Sequence, residues 1–349
     1  MFHLPDHSLV LGAMMRIFIT GGTGYIGSHC AALFLEHGHE VILYDNLHNS
    51  ERDVIDRLRA LSKNSISLIE GDIRDEPLVL NSLKSSKADV VLHCAGLKSI
   101  SESMVAPDLY DSVNVGGLRS LTQAMQEAGV HKIIFSGSAN VYGQPLALPI
   151  TEDAPVNPQS PYGKTKLESE FILKYLTEKN PEWSTVVLRY FNPVGAHYSG
   201  LIGENPKGIP NNLMPILCQV ASGERSALDI YGHDYATPDG TAIRDYVHIE
   251  DLSEAHLGAL NLILNIQGFN LFNIGSSKGV SVLEMVQCFK KINSIEIPYR
   301  FVARRSGDIE ALYTSNKAAK NKLQWNPCQD IEAMCSSAWK FYLGSSSKS

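Results

Sequence analysis

The stretch that decides the fold is Arg16-Ile17-Phe18-Ile19-Thr20-Gly21-Gly22-Thr23-Gly24-Tyr25-Ile26-Gly27. Residues 16–19 predict a buried strand, and residues 28–35 predict a helix that ends near Gly38. A strand, a glycine turn and a helix N-terminus cradle a pyrophosphate, because small residues admit it and helix N–H groups point at it. The sequence therefore predicts a dinucleotide site, with a glycine turn of no function as the alternative.

A carboxylate follows the second predicted strand at the distance expected for ribose binding. Residues 40–44 predict that strand, and Asp45 comes directly after it, 18 residues beyond Gly27. Its charge would accept a hydrogen bond from a 2′-hydroxyl and repel a 2′-phosphate, which favours NAD over NADP. A turn-forming Asp before Asn46 is compatible with the same position.

Tyr162 and Lys166 are four residues apart, so a helix would place them on one face. We expect the lysine charge to favour phenolate and to lower the tyrosine pKa from ~10. Such a phenol can act as a base for a sugar or alcohol hydroxyl. Ser160 and Pro161 predict an N-cap and a first helical position, which places Tyr162 in the first turn, at the mouth of a cleft.

The chain up to residue 192 alternates strand-like and helix-like stretches. Strands are predicted at 67–72, 89–93, 132–135 and 185–190, and helices near 75–86, 107–128 and 160–178. This alternation predicts a Rossmann-type α/β fold, a doubly wound parallel sheet with ligands at the carboxyl ends of its strands. From 193 to 243 Gly and Pro become frequent, which indicates loops over a cleft.

We therefore divide the chain into two domains and an extension. Residues 15–192 are predicted to form the Rossmann domain, to which 244–275 returns. Residues 193–243 and 276–345 are predicted to form a smaller substrate-binding domain, and 1–14 an N-terminal extension.

Composition excludes several classes of function. The net charge of −7 argues against nucleic acid and anionic membranes as partners. Six scattered cysteines without a C-x-x-C favour a reducing, cytoplasmic compartment and argue against a metal site. No apolar run approaches the ~20 residues of a membrane span.

Several further stretches carry a resemblance to a known family. They are residues 45–46, 71–73, 95–98, 141–143, 160–164, 189–197, 208–215 and 244–248. With the glycine turn, they resemble the extended short-chain dehydrogenase/reductase family, and within it the nucleotide-sugar 4-epimerases, over about residues 15 to 343. The resemblance implies NAD-dependent interconversion of UDP-glucose and UDP-galactose through a 4-keto sugar that turns over in the site. It also implies a homodimer.

The resemblance implies a role for each matching residue. Tyr162, Lys166 and Ser138 would be catalytic, although a strand-terminal serine can also simply bind backbone. Besides Tyr162 and Lys166, the implied NAD contacts are Gly21, Gly24, Tyr25, Ile26, Gly27, Asp45, Asn46, Asn49, Ser50, Asp72, Ile73, Ala95, Gly96, Lys98, Asn114 and Tyr190. Besides Ser138 and Tyr162, the implied substrate contacts are Asn140, Asn192, Asn212, Leu213, Leu228, Tyr231, Arg244, Arg305, Asp308 and Leu312.

Two positions depart from the family pattern. Asn140 stands where many relatives carry Thr, which bears on turnover more than on reaction class. Leu312 stands where some relatives carry Tyr. The smaller side chain would leave room for an N-acetyl group, so UDP-N-acetylhexosamines are expected substrates too. Tyr313 could line the pocket instead, or Leu312 could be an ordinary core leucine.

Two other functions compete with epimerisation. A 4,6-dehydratase or decarboxylase of the same fold would need an acid and a base beside the catalytic serine, and residues 138–141 contain no Asp or Glu. A non-catalytic NAD-binding regulatory protein tends to lose the tyrosine or the lysine, and both are present here.

Overall fold

The computed structural model describes residues 14–208, 210–305 and 307–346, so most of the predicted N-terminal extension lies outside it. The strands are β1 (Arg16–Thr20), β2 (Glu40–Asp45), β3 (Ile66–Glu70), β4 (Val90–His93), β5 (Lys132–Ser138), β6 (Ser184–Tyr190), β7 (Asn192–Val194), β8 (Leu228–Tyr231), β9 (Ile243–His248), β10 (Gly268–Ile274), β11 (Gly279–Ser281), β12 (Tyr299–Val302) and β13 (Ala311–Leu312). The α-helices are α1 (Tyr25–Glu36), α2 (Val54–Leu61), α3 (Glu76–Ser86), α4 (Ile100–Val105), α5 (Pro107–Tyr110), α6 (Gly117–Ala128), α7 (Pro161–Lys179), α8 (Leu213–Ala221), α9 (Ile249–Ile263), α10 (Val282–Asn293), α11 (Lys317–Lys322) and α12 (Ile331–Ser346).

Seven parallel strands form the central sheet, in the order β10-β6-β5-β4-β1-β2-β3. The predicted doubly wound parallel sheet is confirmed. The chain builds outward from β1 to β3 and then returns to place β4 on the other side of β1. In sheets of this type, ligands bind at such a reversal, beyond the carboxyl ends of the strands.

Helices cover both faces of this sheet because its strands are apolar on both sides. Ile17 and Ile19 belong to the core cluster under α1 and α9, whereas Phe18 between them belongs to the cluster under α3, α6 and α7. This is the alternation of side chains along a strand. The ends of the strands are consequently held rigidly from both faces.

The rest of the chain forms a second, smaller unit of packing. There β9 pairs with β7, β11 and β13, β8 pairs with β12, and α8, α10 and α12 share an apolar core. Within the segment 244–275, α9 packs on α1 and β10 joins the central sheet, while β9 belongs to the small sheet. That the smaller part binds the substrate stays a prediction.

The helix predicted over 107–128 is wrong in detail. It is divided into α5, a π-helical turn at Asp111–Gly116, and α6. The sequence pattern does not reveal the turn, because a single i→i+5 bulge barely alters helical periodicity. Such bulges are frequent at functional sites, and this one carries Asn114.

Over the part of the chain described, no helix is long and apolar enough to cross a membrane. The same residues contain no group of three His, Cys, Asp or Glu side chains arranged to hold a metal ion.

Candidate active site

The glycine turn brings the end of β1 against the end of β4. Gly21 has a φ of 67°, and a Cβ there would lie 2.6 Å from the backbone nitrogen of Ala95. Only glycine allows both this conformation and this approach. The turn and the segment after β4 therefore flank the point where the sheet order reverses.

The N-terminus of α1 is open in a way that suits an anion. Gly24 caps the helix without a side-chain hydrogen bond, and the first turn contains no acidic residue. The N–H groups of Tyr25 and Ile26 have no acceptor within the helix. A Cβ on Gly24 would meet only the Gly21 carbonyl oxygen, at 3.2 Å, among the described residues. The turn thus fits the pyrophosphate of a dinucleotide.

Asp45 lies beside this turn, as predicted for a ribose-binding carboxylate. It is buried, and it accepts hydrogen bonds from the backbone N–H groups of Thr23 (3.1 Å) and Leu47 (2.9 Å). Ser50 donates to it at 3.4 Å. Asn49, also expected at the cofactor, accepts from the backbone of Lys207, which reaches over from the 196–212 segment.

Asp72 and Ile73 continue the same edge beyond β3. Arg74 forms two hydrogen bonds of 2.8 Å to the Asp72 carboxylate and holds its pKa well below the usual range. Asn46 donates to the same carboxylate at 3.2 Å, and the buried Ile73 packs where a Cβ on Gly117 would lie. These are the positions expected around the adenosine.

The start of α7 is as predicted. The Ser160 hydroxyl accepts from the N–H of Gly163 at 3.1 Å, and Tyr162 lies in the first turn. Tyr162 is 8 % exposed, so its phenol lies inside the cleft rather than at its mouth. Burial raises the pKa of this phenol, and the Ser138 hydroxyl and the Lys98 charge offset only part of that rise.

Ser138 ends β5 and faces Tyr162 with its proton available. Both the backbone N–H (3.2 Å) and the side-chain amide (3.1 Å) of Asn140 donate to the Ser138 oxygen. The hydroxyl hydrogen is therefore left for another acceptor. A hydrogen bond from Ser138 to Tyr162 favours the phenolate, which agrees with the lowering effect on the Tyr162 pKa.

The expectation that Lys166 lowers the Tyr162 pKa is wrong for this structure. The Lys166 ammonium donates to the carbonyl oxygen of Ser136 at 2.8 Å and lies over the ring of Phe135. Burial lowers its own pKa to about 8. The cation that acts on the phenol is Lys98, from the segment after β4.

Lys98 is held by a carboxylate that the motifs do not reveal. Its Nζ lies 2.9 Å from Oε1 of Glu204, and the Asn212 side chain donates to the same oxygen at 2.6 Å. Desolvation of the ammonium works to lower the Lys98 pKa, although half of the side chain is exposed, but the Glu204 charge outweighs that effect and the pKa rises. Asn212, at the N-terminus of α8, is thereby joined to Lys98 through the same carboxylate, and Leu213 follows it as the first residue of the helix.

Asn114 fixes the segment after β4. Its side chain accepts from the N–H of Leu97 (2.8 Å), donates to the Leu97 carbonyl (3.1 Å) and donates to Thr165 on α7 (3.0 Å). A Cβ on Gly96 would lie 2.9 Å from the Asn114 oxygen. Asn114 thus supports the predicted cofactor residues through hydrogen bonds of its own.

The predicted diphosphate side forms a second group. Arg244 donates to the carbonyl of Ile309 (2.7 Å) and lies 3.4 Å from Asp308, and the Arg305 guanidinium lies 3.7 Å above the Tyr231 ring. Two arginines with donors in a planar fork suit a diphosphate.

Leu312 pairs in register with Arg244 and packs with Ala139 and Phe191. Tyr313, the residue after β13, instead lies against Gly279. Leu312 therefore lies on the side of the Ser138–Asn140 segment.

Two predicted residues, Leu228 and Tyr190, lie behind the site. Leu228 is buried in the core of the smaller part, and we withdraw it as a side-chain contact to substrate. The Tyr190 hydroxyl is bonded to Ser136 (2.9 Å) and His256 (2.5 Å), beneath the cofactor residues. Asn192 opens β7, paired with Tyr246.

Comparison with known proteins identifies the family of this chain. The family described as NAD dependent epimerase/dehydratase matches residues 17–275. UDP-glucose 4-epimerase of Bacillus subtilis (strain 168) is 45% identical over 327 residues, 94% of this chain and 96% of the relative. The chain belongs to the NAD-dependent epimerase/dehydratase family.

Solved structures agree over nearly the full length. A UDP-glucose 4-epimerase from Stenotrophomonas maltophila, with bound NAD and formylated UDP-arabinopyranose, has a TM-score of 0.94 and 39% identity, covering 96% of this chain and 100% of its own. A second, from Bifidobacterium longum in complex with NAD+ and UDP, has a TM-score of 0.91 and 40% identity, covering 94% and 98%.

Proposed function

We propose that the protein interconverts UDP-glucose and UDP-galactose by reversible oxidation at carbon 4, with NAD held throughout. The main observation that supports this proposal is the environment of the Tyr162 phenol. It lies beside a hydroxyl donor, Ser138, and a cation, Lys98, at the carboxyl edge of the sheet and beside an open, glycine-rich helix N-terminus.

Each side chain has a defined task in this proposal. Tyr162 takes the proton of the 4-hydroxyl as a general base and returns it as a general acid. Ser138 donates its hydrogen to the sugar oxygen or to the phenolate, because Asn140 occupies its lone pairs. Lys166 orients the nicotinamide ribose, and Arg244 and Arg305 bind the diphosphate.

When bound, NAD supplies the hydride acceptor at carbon 4 and the donor that returns the hydride to the other face. The residues that would hold it are the glycine turn, Asp45, Asp72, Ile73 and Lys98. Because no cofactor is consumed, it need not leave the protein.

A direct assay tests the proposal. Purified protein is incubated with UDP-galactose and no added cofactor, and the carbon-4 epimer is followed by NMR. We expect UDP-glucose to form, and NAD to appear in solution when the protein is denatured. Strict dependence on added NADP, or absence of the epimer, would contradict the proposal.

The proposed substrate range depends on Leu312, which pairs with Arg244. Leu312 is shorter than Tyr and lacks its hydroxyl, so an N-acetyl group at carbon 2 has more room. We therefore include UDP-N-acetylglucosamine and UDP-N-acetylgalactosamine among the substrates.

We also propose a homodimer. The helices α4 and α5 pack against α7, and together they expose large apolar side chains: Met104 and Val105 (61 % and 85 % exposed), Leu109, Phe171 and Tyr175. An apolar patch of this kind indicates an interface, and a second copy is the partner that a two-fold axis supplies. Light scattering of Phe171→Glu should show a monomer, while Leu146→Glu, at an exposed leucine elsewhere, should stay dimeric.

The compartment proposed is the cytoplasm. All six cysteines are free, and a reducing environment keeps them so. Fractionation of cells, with the protein detected by antibody, tests this assignment.

A further inference from the structure

A single buried carboxylate joins the two sides of the cleft. The Glu204 side chain is 8 % exposed, and one of its oxygens accepts both the Lys98 ammonium at 2.9 Å and the Asn212 amide at 2.6 Å. Lys98 follows β4, on the cofactor side. Asn212 caps α8, on the substrate side. One atom therefore sets the position of a residue from each side.

Glu204 is the fixed member of this cluster and Lys98 the movable one. The Lys98 side chain is 51 % exposed, six times as open as that of Glu204. The segment that carries Glu204 is anchored on two helices. The Tyr25 hydroxyl donates to the Gly195 carbonyl at 2.7 Å, and the Phe341 ring fills the space where a Cβ on Gly203 would lie.

The charge of Lys98 matters to the chemistry because it acts on Tyr162. Burial works against the phenolate, and the Lys98 charge favours it. An ammonium on an exposed, flexible stem would not stay at a chosen place without a partner. The partner that the structure offers is Glu204.

We propose that Glu204 is a positioning residue, which holds the Lys98 ammonium in the cleft and locks the Asn212 end of α8 to the same point. The inference rests on the proposed function of Tyr162. Glu204 itself touches neither reacting atom, so its role is exercised through Lys98 and Asn212.

The test uses a double-mutant cycle with the full-length protein. Glu204→Gln keeps an acceptor oxygen for Asn212 but removes the charge that holds Lys98. We expect kcat/KM for UDP-galactose to fall about tenfold in Glu204→Gln and in Lys98→Met, with little further loss in the double variant. The acid limb of the pH profile should move to higher pH in both single variants, because the phenol loses its cation.

The pH profile depends on the titratable and polar groups that face Tyr162 and Glu204. Around Tyr162 they are Ser138, Lys98, Tyr190 and the ring of Tyr110. Around Glu204 they are Lys98, Tyr25 and Cys218. Additive losses in the cycle, or an unchanged pH profile in Glu204→Gln, would overturn the proposal.

A control and a second readout separate this proposal from the proposed function. Lys207→Met removes a different contact of the segment that carries Glu204, the 3.0 Å hydrogen bond from Lys207 Nζ to the Leu47 carbonyl. This variant should epimerise UDP-galactose at near the wild-type rate. Acetylation of Lys98 by acetic anhydride, followed by mass spectrometry, needs no activity. Lys98 should react several times faster in Glu204→Gln than in wild type or Lys207→Met, since only the neutral, free amine reacts. Equal reactivity would contradict the proposal even if the protein epimerises UDP-galactose.

Discussion

The two sides of the candidate active site are built in different ways. The cofactor wall, made of the glycine turn, the ends of β2 and β4 and the start of α7, is backbone held between two apolar cores. The predicted substrate wall, which contains Asn212, Leu213, Tyr231, Arg244, Arg305, Asp308 and Leu312, is held by pairs between distant segments, such as Arg244 with Asp308 and Arg305 with Tyr231. The first wall suits a cofactor that stays. The second suits a substrate that enters, turns over and leaves.

The largest loss of stability in the cofactor wall is expected when the buried ion pair between α7 and β6 is broken. Glu170 and Arg189 are 4 % and 6 % exposed and joined at 2.6 Å, which ties the helix of Tyr162 to β6. Arg189→Met leaves the carboxylate buried and unpaired. We expect the free energy of unfolding to fall by about 3–5 kcal/mol.

The matched control is an exposed ion pair between α6 and the same helix, α7. Arg119 and Glu168 are 60 % and 49 % exposed, and Arg119→Met should cost less than about 1 kcal/mol. Urea unfolding of both variants makes the comparison. Equal losses would mean that burial of the Glu170 pair does not stabilise the cofactor wall.

A group of buried histidines, contributed by α1, the segment after β7 and the end of β9, should be sensitive to acid. His29 on α1 lies near His197, and His248 is buried in the same region. Burial lowers their pKa values, to about 3 for His29 and about 4 for the other two. At pH values below the ordinary histidine pKa of about 6.5, the unfolded chain binds protons on these side chains that the folded chain does not bind. Their contribution to stability is therefore complete above pH 6.5 and is lost as the pH falls toward 4.

Unfolding by urea at pH 7.5, 6 and 5 checks this expectation. His197→Asn should reduce the pH dependence of the free energy of unfolding between pH 6 and 5 by about 1.4 kcal/mol per pH unit, which is the effect of one proton. His48→Asn, at an exposed position, should leave it unchanged. A His197→Asn curve parallel to that of the wild type would contradict the burial argument.

The same contrast explains how much the sequence could predict. The cofactor wall is encoded locally, since the strand, turn and helix around Gly21 and the cap at Ser160 are continuous motifs. Glu204 was missed because its partners, Lys98 and Asn212, are 106 and 8 residues away and no motif joins them. The role of Lys98 at Tyr162 and the burial of Lys166 depend on the three-dimensional packing of side chains. Spacing along one helix could not reveal them.

The smallest expected effect concerns substrate preference at the substrate wall. Leu312→Tyr should lower kcat/KM for UDP-N-acetylgalactosamine relative to UDP-galactose roughly tenfold, within the range that one pocket side chain supplies. Leu312→Met keeps the volume and should preserve the preference of the wild type. A wild type inactive on the acetylated sugar would contradict the assignment, and so would a Tyr variant with unchanged preference.

Tyr162→Phe tests the central claim most directly, because it removes the phenol oxygen and keeps the ring. Turnover of UDP-galactose and the NAD released on denaturation are measured on the same preparation. We predict a loss of about 10²–10⁴-fold in kcat, as expected for a general base, with NAD retained at the wild-type ratio. A variant that epimerises at near the wild-type rate would show that Tyr162 is only structural and that the proposed chemistry is wrong.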